Sequence, residues 1–134
     1  MDSDSSNEPV GSTSVRILVP SRRKDGGIVC RELRAEWEGK ARAQLETPPF
    51  HGATPSAVIG SFVHDDGRVT REEITILASI CHTEVLGDQP ARRRILGFAR
   101  DLCRALGQES IFVGWGDTAA TRPGSGRAHR PLHR

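Results

Sequence analysis

Tyrosine is absent from this chain, and only four phenylalanines and two tryptophans supply its aromatic rings. So thin a set leaves few side chains able to stack on bases. The three cysteines, Cys30, Cys81 and Cys103, stand far apart and show no C-x-x-C spacing. That excludes a zinc ribbon and a disulfide framework and points to a reducing, cytoplasmic setting. No apolar run approaches the roughly 20 residues of a membrane span, and the opening Met1-Asp-Ser-Asp4 has no apolar core, which argues against a secretory signal. Neither charge sign is in excess, with 19 Lys plus Arg against 17 Asp plus Glu. The total charge therefore calls for no nucleic-acid partner.

The charge is unevenly placed. Residues 1–13 hold Asp2, Asp4 and Glu8 without a base, in a composition too polar to bury, and read as a disordered acidic tail. Residues 118–134 hold Arg122, Arg127, Arg130 and Arg134 without an acid and read as a disordered basic tail. Between them, residues 14–117 form one domain of nearly neutral charge.

Within that domain, Val15, Ile17 and Val19 alternate as a strand does, and Pro20 ends the run. Val29, Leu33, Trp37, Ala41 and Leu45 recur every fourth residue from Ile28 to about Glu46, a helical stripe. Thr47–Pro55 is a proline-rich loop. Two strand-like runs, Ser56–His64 and Val69–Cys81, flank Asp65-Asp66-Gly67-Arg68, where Asp-Gly signals a hairpin. A second helix starts near Asp88 with Pro90 in its first turn, carries Ile95, Phe98, Ala99, Leu102 and Leu106 on one face, and ends at Gly107. Glu109–Trp115 closes the domain as a strand. The order βαββαβ predicts an α+β, ferredoxin-like sandwich: a four-stranded antiparallel sheet with both helices on one face.

A two-residue turn at Asp66-Gly67 pairs His64 with Val69, Phe62 with Arg71, Gly60 with Glu73 and Val58 with Thr75. Ala57, Ile59, Val63, Ile74, Ile76, Ala78 and Ile80 then face the helices. The open face is expected to carry Val58, Phe62, His64, Arg71, Glu73, Thr75, Leu77, Ser79 and Cys81, joined by Arg16 and Leu18. So mixed a surface fits a subunit interface, with a homodimer as the expected assembly and a further protein partner open. The second, less favoured reading is a pocket in which Arg16 or Arg71 binds an anionic group and His64 or Glu73 moves a proton.

Other signals are weaker. Cys81-His82-Thr83-Glu84 offers metal-ligand types, but neighbours on a strand point to opposite faces, so no metal site is expected. Gly26-Gly27 behind Arg22-Arg-Lys24 lacks the phosphate-loop and dinucleotide patterns, and no cofactor is expected. The RRM shares the βαββαβ order, yet the expected central strands, Val15–Val19 and Ile74–Ile80, hold no aromatic for bases to stack on. Nucleic-acid binding would fall to the basic tail. Without a catalytic signature, the leading expectation is a non-enzymatic module that self-associates through the open face. The alternative is a small dimeric enzyme of isomerase, lyase or monooxygenase type acting on an anionic small molecule.

Overall fold

The computed structural model of the chain describes residues 11–116 and a further strand at Thr118–Pro123. The elements run β1 (Ser12–Pro20), α1 (Arg31–Leu45), β2 (Thr54–Val63), β3 (Val69–His82), a 3-10 turn (Thr83–Gly87), α2 (Gln89–Ala105), β4 (Ser110–Trp115) and β5 (Thr118–Pro123). They build one antiparallel sheet in the order β2-β3-β1-β4-β5. The first four strands with the two helices are the ferredoxin-like arrangement expected. The fifth strand is not, and it corrects the extent of the basic tail: Thr118–Pro123 pairs with β4. Likewise Ser12 and Thr13, assigned above to the acidic tail, begin β1. The rest of both expected tails, 1–10 and 124–134, lies outside the described residues.

Alternation places Val15, Ile17 and Val19 against the helices, each fully buried. Helix α1 lies over β1 and β3, and α2 over β4 and β5. The four-residue stripe of α1 meets α2 through Trp37 and Phe98, whose ring centroids are 5.7 Å apart. Asp88 caps α2, its Oδ1 accepting from the Ala91 N–H at 2.9 Å. At the other end Gly107, with φ +64°, turns the chain out of the helix.

The hairpin overturns the expected register. Gly67 is left-handed at φ +86°, but Asp66 is not, since no residue other than glycine has positive φ among those described. A two-residue turn of the favoured hand would need both. The chain instead makes a three-residue loop: Gly67 N–H donates to the His64 carbonyl at 2.9 Å, and His64 N–H to the Arg68 carbonyl at 2.8 Å. This is a type I turn closed by a glycine bulge. Val63 therefore pairs with Val69, Phe62 with Thr70 and Val58 with Ile74, one residue from the expected partners.

A slip of one exchanges the two faces of β3. Ile17 pairs with Leu77 and Val15 with Ser79, so Thr75, Leu77, Ser79 and Cys81 turn toward the helices. Leu77, Ser79 and Cys81 are buried there. Ile74, Ile76, Ala78 and Ile80, expected in the core, lie on the open face instead. Ala57, Ile59 and Val63 are on the helix side of β2, yet no helix covers that strand; Ile59 is 66% and Val63 74% exposed.

Two stability measurements check this register. Leu77→Ala is expected to cost about 2–5 kcal/mol in urea unfolding, as a fully buried leucine does, and Ile80→Ala within about 0.5 kcal/mol; the expected pairing above would reverse the two. Gly67→Ala is expected to cost about 1 kcal/mol, because alanine resists the left-handed conformation. Thiol labelling gives a third check. Cys30 is exposed, whereas Cys81 and Cys103 are buried, and burial pushes the Cys81 thiol up from its ordinary value. A maleimide should modify Cys30 alone in the native protein at neutral pH.

Candidate functional site

The open face ends in a cleft of about 630 Å³ beside the hairpin turn. Its floor is Ile74 of β3 and Leu18 of β1, and its aromatic walls are Phe62 of β2 and Phe112 of β4. β2 and β4 are three strand spacings apart, about 14 Å across the sheet. Phe62 is 47% and Phe112 38% exposed, while Ile74 is 7% exposed although no helix covers it. Ile74 leans over Gly60, where a Cβ would come within 2.6 Å of its Cδ1. The floor is thus packed and its walls are open.

The polar groups of the cleft come from three places. His64 and Thr70 meet across the hairpin, Nε2 to Oγ1 at 2.7 Å. Glu72 projects from β3, and its Oε1 accepts from the N–H groups of Ser21 and Arg22 at 3.2 and 3.0 Å. Its other carboxylate oxygen has no hydrogen bond among the described residues. The third group is the loop after β1, which brings Arg22, Arg23 and Lys24 to the rim, joined by Arg68 of the hairpin.

That loop is held firmly. Arg22 bridges to Ile28, Arg23 N–H donates to the Gly27 carbonyl at 2.6 Å, and Lys24 N–H to the Gly107 carbonyl at 3.0 Å. Gln108 Nε2 donates to the Arg22 carbonyl. Gly27 N–H is already taken by Asp25 Oδ1 at 2.8 Å, and α1 begins only at Arg31, so the Gly26-Gly27 pair is no phosphate cradle at a helix start. The loop contributes its cationic side chains. No carboxylate among the described residues pairs with Arg23 or Lys24.

Of the residues singled out from sequence, Leu18, Phe62 and His64 line this cleft, and Val58 and Arg16 share its face. Arg71, Glu73, Thr75 and Leu77 do not. The register turns all four to the helix side. There Arg34 of α1 donates to Glu73 Oε1 at 3.1 Å and to Thr75 Oγ1 at 3.2 Å, and Thr75 donates to Glu38 Oε2 at 2.7 Å. This network ties α1 to β3, and Arg71 stands exposed beside it. Glu72 and Phe112 are the site residues the sequence reading missed. The adjacent pair Glu72-Glu73 carried the signal, and only the register decides which of the two faces the cleft. The Cys81–Glu84 run gathers no metal-ligand cluster, and none occurs among the described residues.

Arg16 occupies the same face one row further from the hairpin. Its guanidinium lies flat against β4 at Gly114, and its Nε is buried without a hydrogen-bond partner. Leaving such a donor dry costs about 1–3 kcal/mol, more for a charged group.

No family model matches the chain, and no curated protein does. Among solved structures it is similar to a phage SAM lyase in complex with S-methyl-5′-thioadenosine, with a TM-score of 0.61 and 18% identity, over 89% of this chain and 95% of that one. The same lyase in its apo state gives a TM-score of 0.58 at 18% identity, over 84% and 89%. The likeness is one of fold. It nonetheless corrects the expectation of a non-enzymatic module, because the fold shared over nearly the whole of both chains is the fold of an enzyme.

Proposed function

We propose that the chain is a small lyase-type enzyme that holds a small molecule bearing an anionic group in the open-face cleft. S-adenosylmethionine (SAM), named in its structural neighbour, is the first candidate substrate. The observation that carries this reading is the convergence on one cleft of an apolar floor, two aromatic walls, a carboxylate, an imidazole and a cationic rim. A pocket with an apolar lining and a few converging polar groups is the usual form of a small-molecule site.

Each part has a task on such a substrate. Ile74 and Leu18 offer a flat apolar floor to a heteroaromatic ring, with Phe62 or Phe112 beside it. Arg23 and Lys24 attract an anionic group. In an elimination a base takes a proton from the carbon next to the C–S carbon, the C–H electron pair becomes the C=C bond of the departing amino-acid arm, and the C–S pair goes to sulfur, leaving a neutral thioether, which for SAM is S-methyl-5′-thioadenosine. Glu72, with one oxygen anchored on the Ser21 and Arg22 amides, is the carboxylate of the cleft that can balance the cationic sulfur. Glu72 or His64 is the group to accept the proton that an elimination releases.

Association belongs to the same proposal. A second copy of the chain, docking on exposed Val58 and Phe62, closes the cleft from outside. No helix among the described residues is long and apolar enough to cross a membrane, and three cysteines outside any disulfide suit a cytoplasmic location.

The test is incubation with SAM and chromatography for S-methyl-5′-thioadenosine. Wild type should release it, and Glu72→Gln, which keeps the shape of the side chain, should lower the rate about 10²-fold or more. Absence of product together with absence of SAM binding would refute the substrate. An unchanged rate in Glu72→Gln would remove Glu72 from the reaction. Light scattering checks the assembly: wild type is expected as a dimer that Phe62→Glu converts to a folded monomer, and a monomeric wild type would contradict it.

A further inference from the structure

We infer that two copies of the chain pair edge to edge through β2, antiparallel about a two-fold axis normal to the sheet, and that the partner's Ser56 thereby joins the cleft wall beside Phe62. Such pairing presupposes the dimer proposed above and supplies its contact surface.

β2 is one edge of the sheet, and the hairpin fixes which of its backbone groups are free. His64 is bonded into the turn, its N–H donating to the Arg68 carbonyl and its carbonyl accepting from the Gly67 N–H. Bonded and non-bonded pairs alternate along an antiparallel ladder, so Phe62, Gly60 and Val58 bond to Thr70, Glu72 and Ile74. Ala57, Ile59, Ser61 and Val63 then point their N–H and C=O groups away from β3. Nothing among the described residues takes them. Pro55 falls in the same phase, lacking an N–H where the ladder to β3 needs none.

Sheet edges are ordinarily blunted by shortness, charge or a bulge. β2 has none of these: it runs ten residues without a charged side chain, and its register with β3 is unbroken from Thr54 to Val63. It is also apolar on both sides, with Val58 and Phe62 exposed on the open face and Ile59 and Val63 exposed on the other. The opposite edge, β5, has six residues and includes Arg122.

A second copy suits this edge because the strand is complementary to itself. With Ile59 opposite the partner's Ile59, Ala57 exchanges hydrogen bonds with the partner's Ser61, and the Val63 N–H meets the carbonyl of the partner's Pro55. The same register sets large against small on the open face, Phe62 beside the partner's Ser56 and Val58 beside the partner's Gly60. An uncharged strand meets no like charge in its copy. The two-fold uses up both β2 edges, so the assembly closes at two. Phe62 is a wall of the cleft, and the hydroxyl of the partner's Ser56 comes to lie next to it.

The experiment is amide hydrogen exchange followed by NMR, with light scattering, on wild type and Ser61→Pro. The Ser61 N–H faces away from β3, and Gly60 before it has no Cβ to meet a proline ring, so the variant loses an edge donor and keeps the hairpin. Wild type is expected as a dimer in which the Ala57, Ile59 and Val63 amides are protected. Ser61→Pro is expected as a folded monomer in which those three exchange about tenfold faster or more, while the Val58, Gly60 and Phe62 amides, held by β3, stay slow. If circular dichroism shows Ser61→Pro unfolded, Ile59→Lys, which keeps every amide and places a charge at the centre of the pairing, should give the same monomer and the same exchange pattern. A dimeric wild type whose Ala57, Ile59 and Val63 amides exchange fast would overturn the edge pairing and leave the dimer to the open face. Dimers that survive in both variants would overturn it as well. A monomeric wild type would overturn the pairing and the dimer together, with release of S-methyl-5′-thioadenosine from SAM still deciding the lyase reading by itself.

Discussion

Gly67, at φ +86°, closes a hairpin loop of three residues, and the odd length of that loop sets which side chains of β3 stand beside Phe62. The pairing of β1 with β3 agrees with it, placing Ile17 against Leu77. Because side chains alternate with a period of two, both constraints must have the same parity or the core and the open face would compete for the same residues. With a loop of two residues, Glu73 and Leu77 would share the face of Phe62. With the loop that forms, Glu72 and Ile74 take that face and the cleft acquires its carboxylate and its floor.

The consequences reach past the strand. Glu72 accepts the Ser21 and Arg22 amides, which pins the chain where it leaves β1, and the loop so pinned delivers Arg22, Arg23 and Lys24 to the rim. On the other side of the sheet Glu73 and Thr75 receive Arg34 and fasten α1. Two adjacent acids thus do opposite work: one holds a helix to the sheet and one shapes the open-face cleft. The helices cover β1, β3, β4 and β5 and leave β2 bare. An uncovered strand carrying Phe62, with packed Ile74 beneath it, gives the cleft an open wall suited to a ligand or a second subunit.

Much of the fold was legible in the sequence because its signals were local. Val15, Ile17 and Val19 alternate with polar or less buried neighbours, the stripe from Val29 to Leu45 keeps its period, and Asp88, Pro90 and Gly107 mark the ends of α2 by their own backbone chemistry. The register was not legible, for two physical reasons. Asp-Gly serves both a two-residue turn and the glycine bulge of a three-residue loop, and β3 is apolar on both faces, so Ile74, Ile76, Ala78 and Ile80 make as good a core series as Leu77 and its neighbours. Hydrophobic pattern cannot break that tie; the β1 pairing does. β5 escaped notice because Thr118–Pro123 has no apolar alternation. Arg16 was legible as an anion-binding candidate, but the packing of its guanidinium against Gly114 depends on two strands meeting and has no trace in either segment alone.

The central claim is that ligand chemistry takes place on the face of the sheet opposite the helices, with the even-numbered residues of β3 turned toward it. An amide-resolved NMR titration with S-methyl-5′-thioadenosine tests it directly. The account predicts shifts at Leu18, Phe62, Glu72 and Phe112, with those of α1 and of Glu73 and Thr75 unchanged. Shifts confined to Arg34, Glu73 and Thr75, or none at saturating ligand, would contradict it.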